Sequence, residues 1–134
     1  MDLSDFGALQ LRVLEMLWER EQASAAEICE AWAPETAPAY TTVLSALQKL
    51  FRRKLVRRRK RGRAHVYKPR IEREAFRRRF VEEIRNKYFG GSTSGLVAAL
   101  VGDEAVSDDE LAEIESVLKD RLSQRRARGR RGDR

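Results

Sequence analysis

Residues 38–69 read PAYTTVLSALQKLFRRKLVRRRKRGRAHVYKP, and this stretch decides the fold. Wound at roughly 3.6 residues per turn, its first half sorts into two faces. Tyr40, Val43, Leu44, Leu47, Leu50 and Phe51 fall on one side, and Thr41, Thr42, Ser45, Lys49 and Arg52 on the other. The first is a core face. The second is small, polar and basic, whereas a helix face that only meets water favours Glu, Lys and Arg over the poorer helix formers Thr and Ser. Short hydroxyl side chains let a backbone approach another surface closely. Pro38 suits the first helical position, where its missing N–H has no partner anyway, so a helix is expected from Pro38 to about Lys54.

The second half turns back on itself. Leu55-Val56 opens a strand that runs through Arg57-Arg58-Arg59-Lys60 to Arg61-Gly62-Arg63, and the chain returns as Ala64-His65-Val66-Tyr67-Lys68-Pro69. Gly62 supplies the turn, and the return strand alternates Ala64, Val66 and Lys68 against His65 and Tyr67. Upstream, Leu9, Leu11, Val13, Leu14, Met16, Leu17 and Trp18 leave only a narrow polar stripe of Arg12, Glu15 and Glu19, which predicts a helix from Ala8 to about Glu21 buried on most sides. Ser24-Ala25-Ala26-Glu27 fits a capping box and opens a short helix to about Ala33. Three helices and a basic hairpin make a winged helix-turn-helix, whose third helix enters the major groove while the hairpin tip touches the backbone or minor groove beside it.

Downstream the pattern is helical again. Phe76, Phe80, Ile84 and Tyr88 are each four apart on a charged helix from about Glu72 to Tyr88, a stripe that needs another surface to bury it. Phe89-Gly90-Gly91-Ser92 breaks that helix, a short apolar helix Leu96–Val101 follows, and Ser107-Asp108-Asp109-Glu110 caps a last helix carrying Leu111, Ile114, Val117, Leu118 and Leu122. Three such helices are too small to be stable alone, and a second copy of the chain completes them. The expected dimerisation residues are therefore Phe76, Phe80, Ile84, Tyr88, Leu96, Leu100, Leu111, Ile114 and Leu118. The chain thus divides into a winged-helix domain over 1–70, a helical dimerisation domain over 71–124 and a basic tail over 125–134 that is expected to be disordered.

Charge narrows the partners. The 134 residues carry 28 Lys and Arg against 21 Asp and Glu, for a net charge of +7. The excess is local: residues 52–70 hold eleven bases and no acid, and residues 119–134 hold eight bases and two acids, whereas residues 1–35 sum to −6. Like charges at that density repel unless a polyanion is present. With one histidine, His65, one cysteine, Cys29, no glycine between Gly7 and Gly62 and no metal-ligand spacing, neither an enzyme nor a metal or cofactor site is expected. The acidic start, Met1 to Asp5, does not resemble a signal peptide, and the longest uncharged stretch, Tyr88 to Gly102, is too short to span a membrane, so the chain reads as cytoplasmic.

Several of these residues also carry a resemblance. Ala39-Tyr40-Thr41-Thr42-Val43-Leu44, Leu47-Gln48-Lys49-Leu50, Leu55-Val56, Gly62-Arg63-Ala64-His65-Val66-Tyr67-Lys68-Pro69 and Phe89-Gly90-Gly91-Ser92 with Leu96-Val97 resemble, in order and spacing, the penicillinase repressor family, which includes BlaI, MecI and the copper repressor CopY. The resemblance covers about residues 7–122. It implies a dimeric transcriptional repressor on a palindromic operator, commonly released when a membrane-anchored sensor peptidase leads to cleavage in the dimerisation arm. Three departures stand out. Lys54 replaces a glycine common at the helix exit, which implies a left-handed lysine costing about 1 kcal/mol or a different helix end. Ala99-Leu100 stands where the penicillinase-type members have Asn-Phe, so cleavage of the same specificity is not implied. The chain ends in arginines and lacks the paired Cys-x-Cys of the copper-type members.

The two readings meet on one residue set. Thr41, Thr42 and Ser45 are the candidates for base edges, since hydroxyls donate or accept and the threonine methyl meets that of thymine. Lys49, Arg52, Arg53, Arg61 and Arg63 are the candidates for phosphates, and Arg63 also for the minor groove. His65 and Tyr67 are either wing contacts or packing. The rival reading is a nonspecific nucleic-acid or ribosome-associated binder, which shows steep salt dependence and no preferred duplex. A protein-interaction winged helix is a third, opposed by the hydroxyl face.

Overall fold

The computed structural model describes residues 6–132. Its elements run α1 (Ala8–Arg20), β1 (Ala23–Ser24), α2 (Ala25–Ala31), α3 (Tyr40–Arg52), β2 (Val56–Arg61), β3 (Ala64–Pro69), α4 (Arg73–Tyr88), α5 (Thr93–Val101) and α6 (Asp108–Gly132). The chain forms two compact units, one ending at Ile84 and the other beginning at Arg85.

The first unit is a winged helix. Val13, Leu14 and Leu17 of α1, Ile28 of α2 and Val43, Leu47 and Leu50 of α3 are fully buried together with Leu55, Val56 and Tyr67 of the sheet region. At α2 the capping box is complete: Ser24 Oγ accepts from Glu27 N at 3.2 Å, and Glu27 Oε1 accepts from Ser24 N at 3.1 Å. The third helix starts two residues later than expected. Ala39 is its N-cap, its carbonyl taking the amides of Thr42 and Val43, so Pro38 stands before the cap rather than at the first helical position. Tyr40 is half exposed rather than part of the core, because so near the helix start it lies beyond the layer that Val43 and Leu47 fill.

The exit from α3 is a Schellman turn built on a lysine. Lys54 has φ 62°; its N–H donates to Phe51 O, and Leu55 N–H donates to Leu50 O at 3.1 Å. Leu50 and Leu55, the apolar pair that accompanies such a turn, are both buried. The turn sends the chain into β2, and the sheet has the order β1-β3-β2, all antiparallel. The expected hairpin is β2 with β3; β1 is a third strand of two residues, too short for an alternating pattern, that pairs Ala23 with Tyr67 and Ser24 with Val66. The central strand alternates, but both of its faces are covered, since Val66 and Tyr67 are both buried. Tyr67 faces the helical core, whereas Val66 lies on the other face beneath Gln22 and the stems of Arg57, Arg59 and Lys68.

The domain boundary differs from that expected at residue 70, because the first half of α4 packs on α1. Trp18 Nε1 donates to Ile71 O at 2.9 Å, Arg73 lies over the Trp18 ring, and Phe76 is buried against Phe6, Trp18 and Phe80. Phe76, expected at a dimer contact, is therefore already buried in the core of the winged-helix unit within one chain. Phe80 is partly buried against the same core.

In the second unit Gly90 and Gly91 take φ of 54° and 82°, a left-handed pair that only glycine adopts cheaply, and they end α4. Ser92 Oγ then caps α5 and Ser107 Oγ caps α6. No described residue of α5 or α6 is buried. Residues 125–132, expected to be disordered, continue α6 to Gly132; arginine and alanine are good helix formers, and the cations near its end complement the helix dipole. Residues 133 and 134 of the expected tail lie outside the described residues. No helix among the described residues is long and apolar enough to cross a membrane.

Candidate nucleic-acid interface

The site is built on the face of α3 turned away from the core. Burial of Val43, Leu47 and Leu50 fixes the rotation of the helix, and that rotation leaves Thr41, Thr42, Gln48, Lys49 and Arg52 exposed, with Ser45 half-buried. The start of α1 lies beside them. Gly7, Leu9 and Gln10 line, together with Thr41, Thr42, Ser45, Ala46 and Lys49, an open cleft of about 320 Å³. Contact between the first turn of α1 and α3 arises only from tertiary packing, so no local pattern in the sequence marks α1 as part of the site. Gln10 is nearly buried on an otherwise apolar helix side, the one local signal of a special environment.

The second component is the hairpin, where ten of the eleven bases between 52 and 70 are exposed and Arg53 is half-buried. Lys49, Arg52 and Arg63 have no acid partner among the described residues. Three other cations are engaged. Arg53 caps α3 and lies over the Phe6 ring, 5.7 Å from its centroid. Arg58 sits over Phe51 at 3.9 Å, close enough for a cation–π contact that anchors β2 to α3. Arg61 Nη2 donates to Glu27 Oε1 at 2.6 Å. The backbone amide of Ser24, then the Arg61 guanidinium, then the Ser24 side chain hold the Glu27 carboxyl below the usual carboxylate range. His65 is half-buried with its ring edge toward Tyr67, and Tyr67 is fully buried, so of these two candidate wing contacts only His65 reaches the surface.

The structure thus brings Thr41, Thr42, Ser45, Lys49 and Arg52 onto one helix face, with Arg61, Arg63 and His65 on the adjoining hairpin. A sequence model described as penicillinase repressor matches residues 6–120. The chain belongs to the penicillinase repressor family. The penicillinase repressor of Bacillus licheniformis is 18% identical over 117 residues, covering 87% of this chain and 91% of the relative. The methicillin resistance regulatory protein MecI of Staphylococcus aureus (strain N315) is 22% identical over 120 residues, covering 85% and 93%. Among solved structures, the DNA binding domain of the repressor BlaI is similar with a TM-score of 0.48 and 19% identity, over 55% of this chain and 90% of that domain. Members of the penicillinase repressor family are transcriptional repressors rather than enzymes, and this one is a DNA-binding repressor of the BlaI and MecI type. The family match stops at residue 120, so the arginine-rich end of α6 is an addition to what the match covers.

Proposed function

We propose that this repressor binds DNA sequence-specifically, as a homodimer on a palindromic operator. The observation that carries the reading is the exposed hydroxyl face of α3 beside an acid-poor basic hairpin on the same unit. Thr41, Thr42 and Ser45 read base edges in the major groove. Lys49, Arg52 and Arg53 hold phosphates beside them, and Arg63 at the wing tip meets the backbone or a narrow minor groove.

Dimerisation is supported by the second unit. Its apolar side chains are left open: Tyr88 is 76% exposed, Leu100 62% and Leu118 51%, with Leu111, Ile114 and Leu118 at helical spacing along α6. Exposed apolar surface on this scale marks an interface. Ile84, Tyr88, Leu96, Leu100, Leu111, Ile114 and Leu118 form the dimer contact, and a signal acting on this arm, whether through a sensor peptidase or otherwise, releases the DNA.

Footprinting on the DNA upstream of the repressor's own gene tests the reading. Two protected half-sites related by a dyad and about one helical turn or a multiple apart are expected. Uniform protection without half-sites favours the nonspecific binder instead.

A further inference from the structure

Arg61 is the last residue of β2, directly before the Gly62 turn, and it is paired across the strand with Ala64. Beyond β3 lies β1, and α2 begins immediately after it. The Arg61 side chain therefore passes over the central strand at a position where that strand carries only a methyl group, and reaches the first turn of α2. There it meets the same Glu27 oxygen that accepts the Ser24 amide. One carboxylate oxygen thus ties together the end of β1, the start of α2 and the tip of the wing. Unlike Arg12–Glu15, Arg77–Glu74 and Lys119–Glu115, each within a single helix, this ion pair joins residues 34 apart. It also removes Arg61 from the cations open to a phosphate, while Arg63, two residues on, is exposed and without an acid partner among the described residues.

We infer that Arg61 is a positioning residue rather than a phosphate ligand: its contact with Glu27 holds the hairpin tip against α2 and so fixes where Arg63 meets the DNA. The inference rests on the DNA-binding reading above, and its test has one arm that needs no DNA. A hairpin joined to the body only through its strand ladder swings at its tip; a side-chain tether at the last paired residue restricts that swing. The tether is a partly exposed ion pair, so its effect is modest.

The experiment uses the full chain with Glu27→Gln, Arg61→Gln and both together. Glutamine retains the capping-box acceptor for α2 and removes only the charge. Without DNA, amide hydrogen exchange at Ala64, paired with Arg61 at the end of the ladder, is expected to quicken about two- to fivefold in each single variant, the range a surface ion pair supports, with no further change in the double variant. Unchanged exchange in both single variants overturns the tether. With the upstream duplex, Arg61→Gln and Glu27→Gln are expected to weaken binding by the same factor, non-additively, with the salt slope unaltered. If Arg61→Gln instead lowers the slope by about one while Glu27→Gln tightens binding, Arg61 is a phosphate ligand and the inference fails. Failure of the DNA-binding reading is a separate result, visible as a wild-type protein that does not distinguish the upstream duplex from a scrambled one.

Discussion

Lys54→Gly is expected to stabilise the winged-helix unit. Lys54 is held at φ 62°, where a residue with a Cβ crowds its own carbonyl at a cost of about 1 to 2 kcal/mol. Glycine escapes that cost but brings a more flexible unfolded chain, which offsets about 0.5 to 1 kcal/mol. The net gain is about 0.5 to 1 kcal/mol, since both hydrogen bonds of the turn are backbone bonds that survive the substitution. In a domain of this size that raises the melting temperature by about 3 to 6 °C. Removing a cation from a block of eleven could itself stabilise, so Lys54→Ala serves as the control: it loses the charge and keeps the left-handed penalty. Thermal unfolding followed by circular dichroism, at one fixed protein concentration as the proposed dimerisation requires, compares the three chains. If Lys54→Gly melts no higher than Lys54→Ala, the turn is not strained and the reasoning is refuted.

Three further outcomes follow from the same structure. Thr42→Ala should loosen preference at one operator position by about 1 kcal/mol without changing the salt slope, whereas Arg63→Ala should weaken all duplexes alike and lower the slope by about one; equal loss of specificity in both, measured by competition titration, would sink the assignment. Leu118→Asp, on the exposed stripe of α6, should yield a monomer by sedimentation and weaken operator binding severalfold or more. Glu27 is held below its ordinary pKa in the folded state, so its stabilisation is complete above the ordinary carboxylate value and is lost as pH falls through the lowered one; in acid melting profiles Glu27→Gln should show a shallower decline over that window.

Much of the fold was legible because it is written in local chemistry. The capping box at Ser24 and Glu27, the two-faced helix around Val43 and Leu47 and the Gly62 turn are decided by near neighbours in sequence, and each stands within a residue or two of its expected place. The left-handed Lys54 was visible as a departure from a pattern that wants glycine. What was not legible depends on contacts between distant residues. Phe76 belongs to a stripe that reads as an interface, yet α1 offers Phe6 and Trp18 to bury it within the same unit. The strand Ala23–Ser24 exists only because β3 has a free edge there. Arg61 looks like any other member of a cationic run until the sheet brings it beside Glu27. The arginine-rich end of α6 looks like a tail because it lacks apolar residues, but a helix already started at Asp108 propagates through good helix formers.

The central claim is that the hydroxyl face of α3 reads sequence while the basic hairpin supplies affinity. A titration of the full chain against the DNA upstream of its own gene and a scrambled duplex of equal length, at two salt concentrations, tests it most directly. The account predicts a preference for the upstream duplex of about a thousandfold or more that persists at the higher salt. Equal binding to both duplexes, weakening together as salt rises, would contradict it.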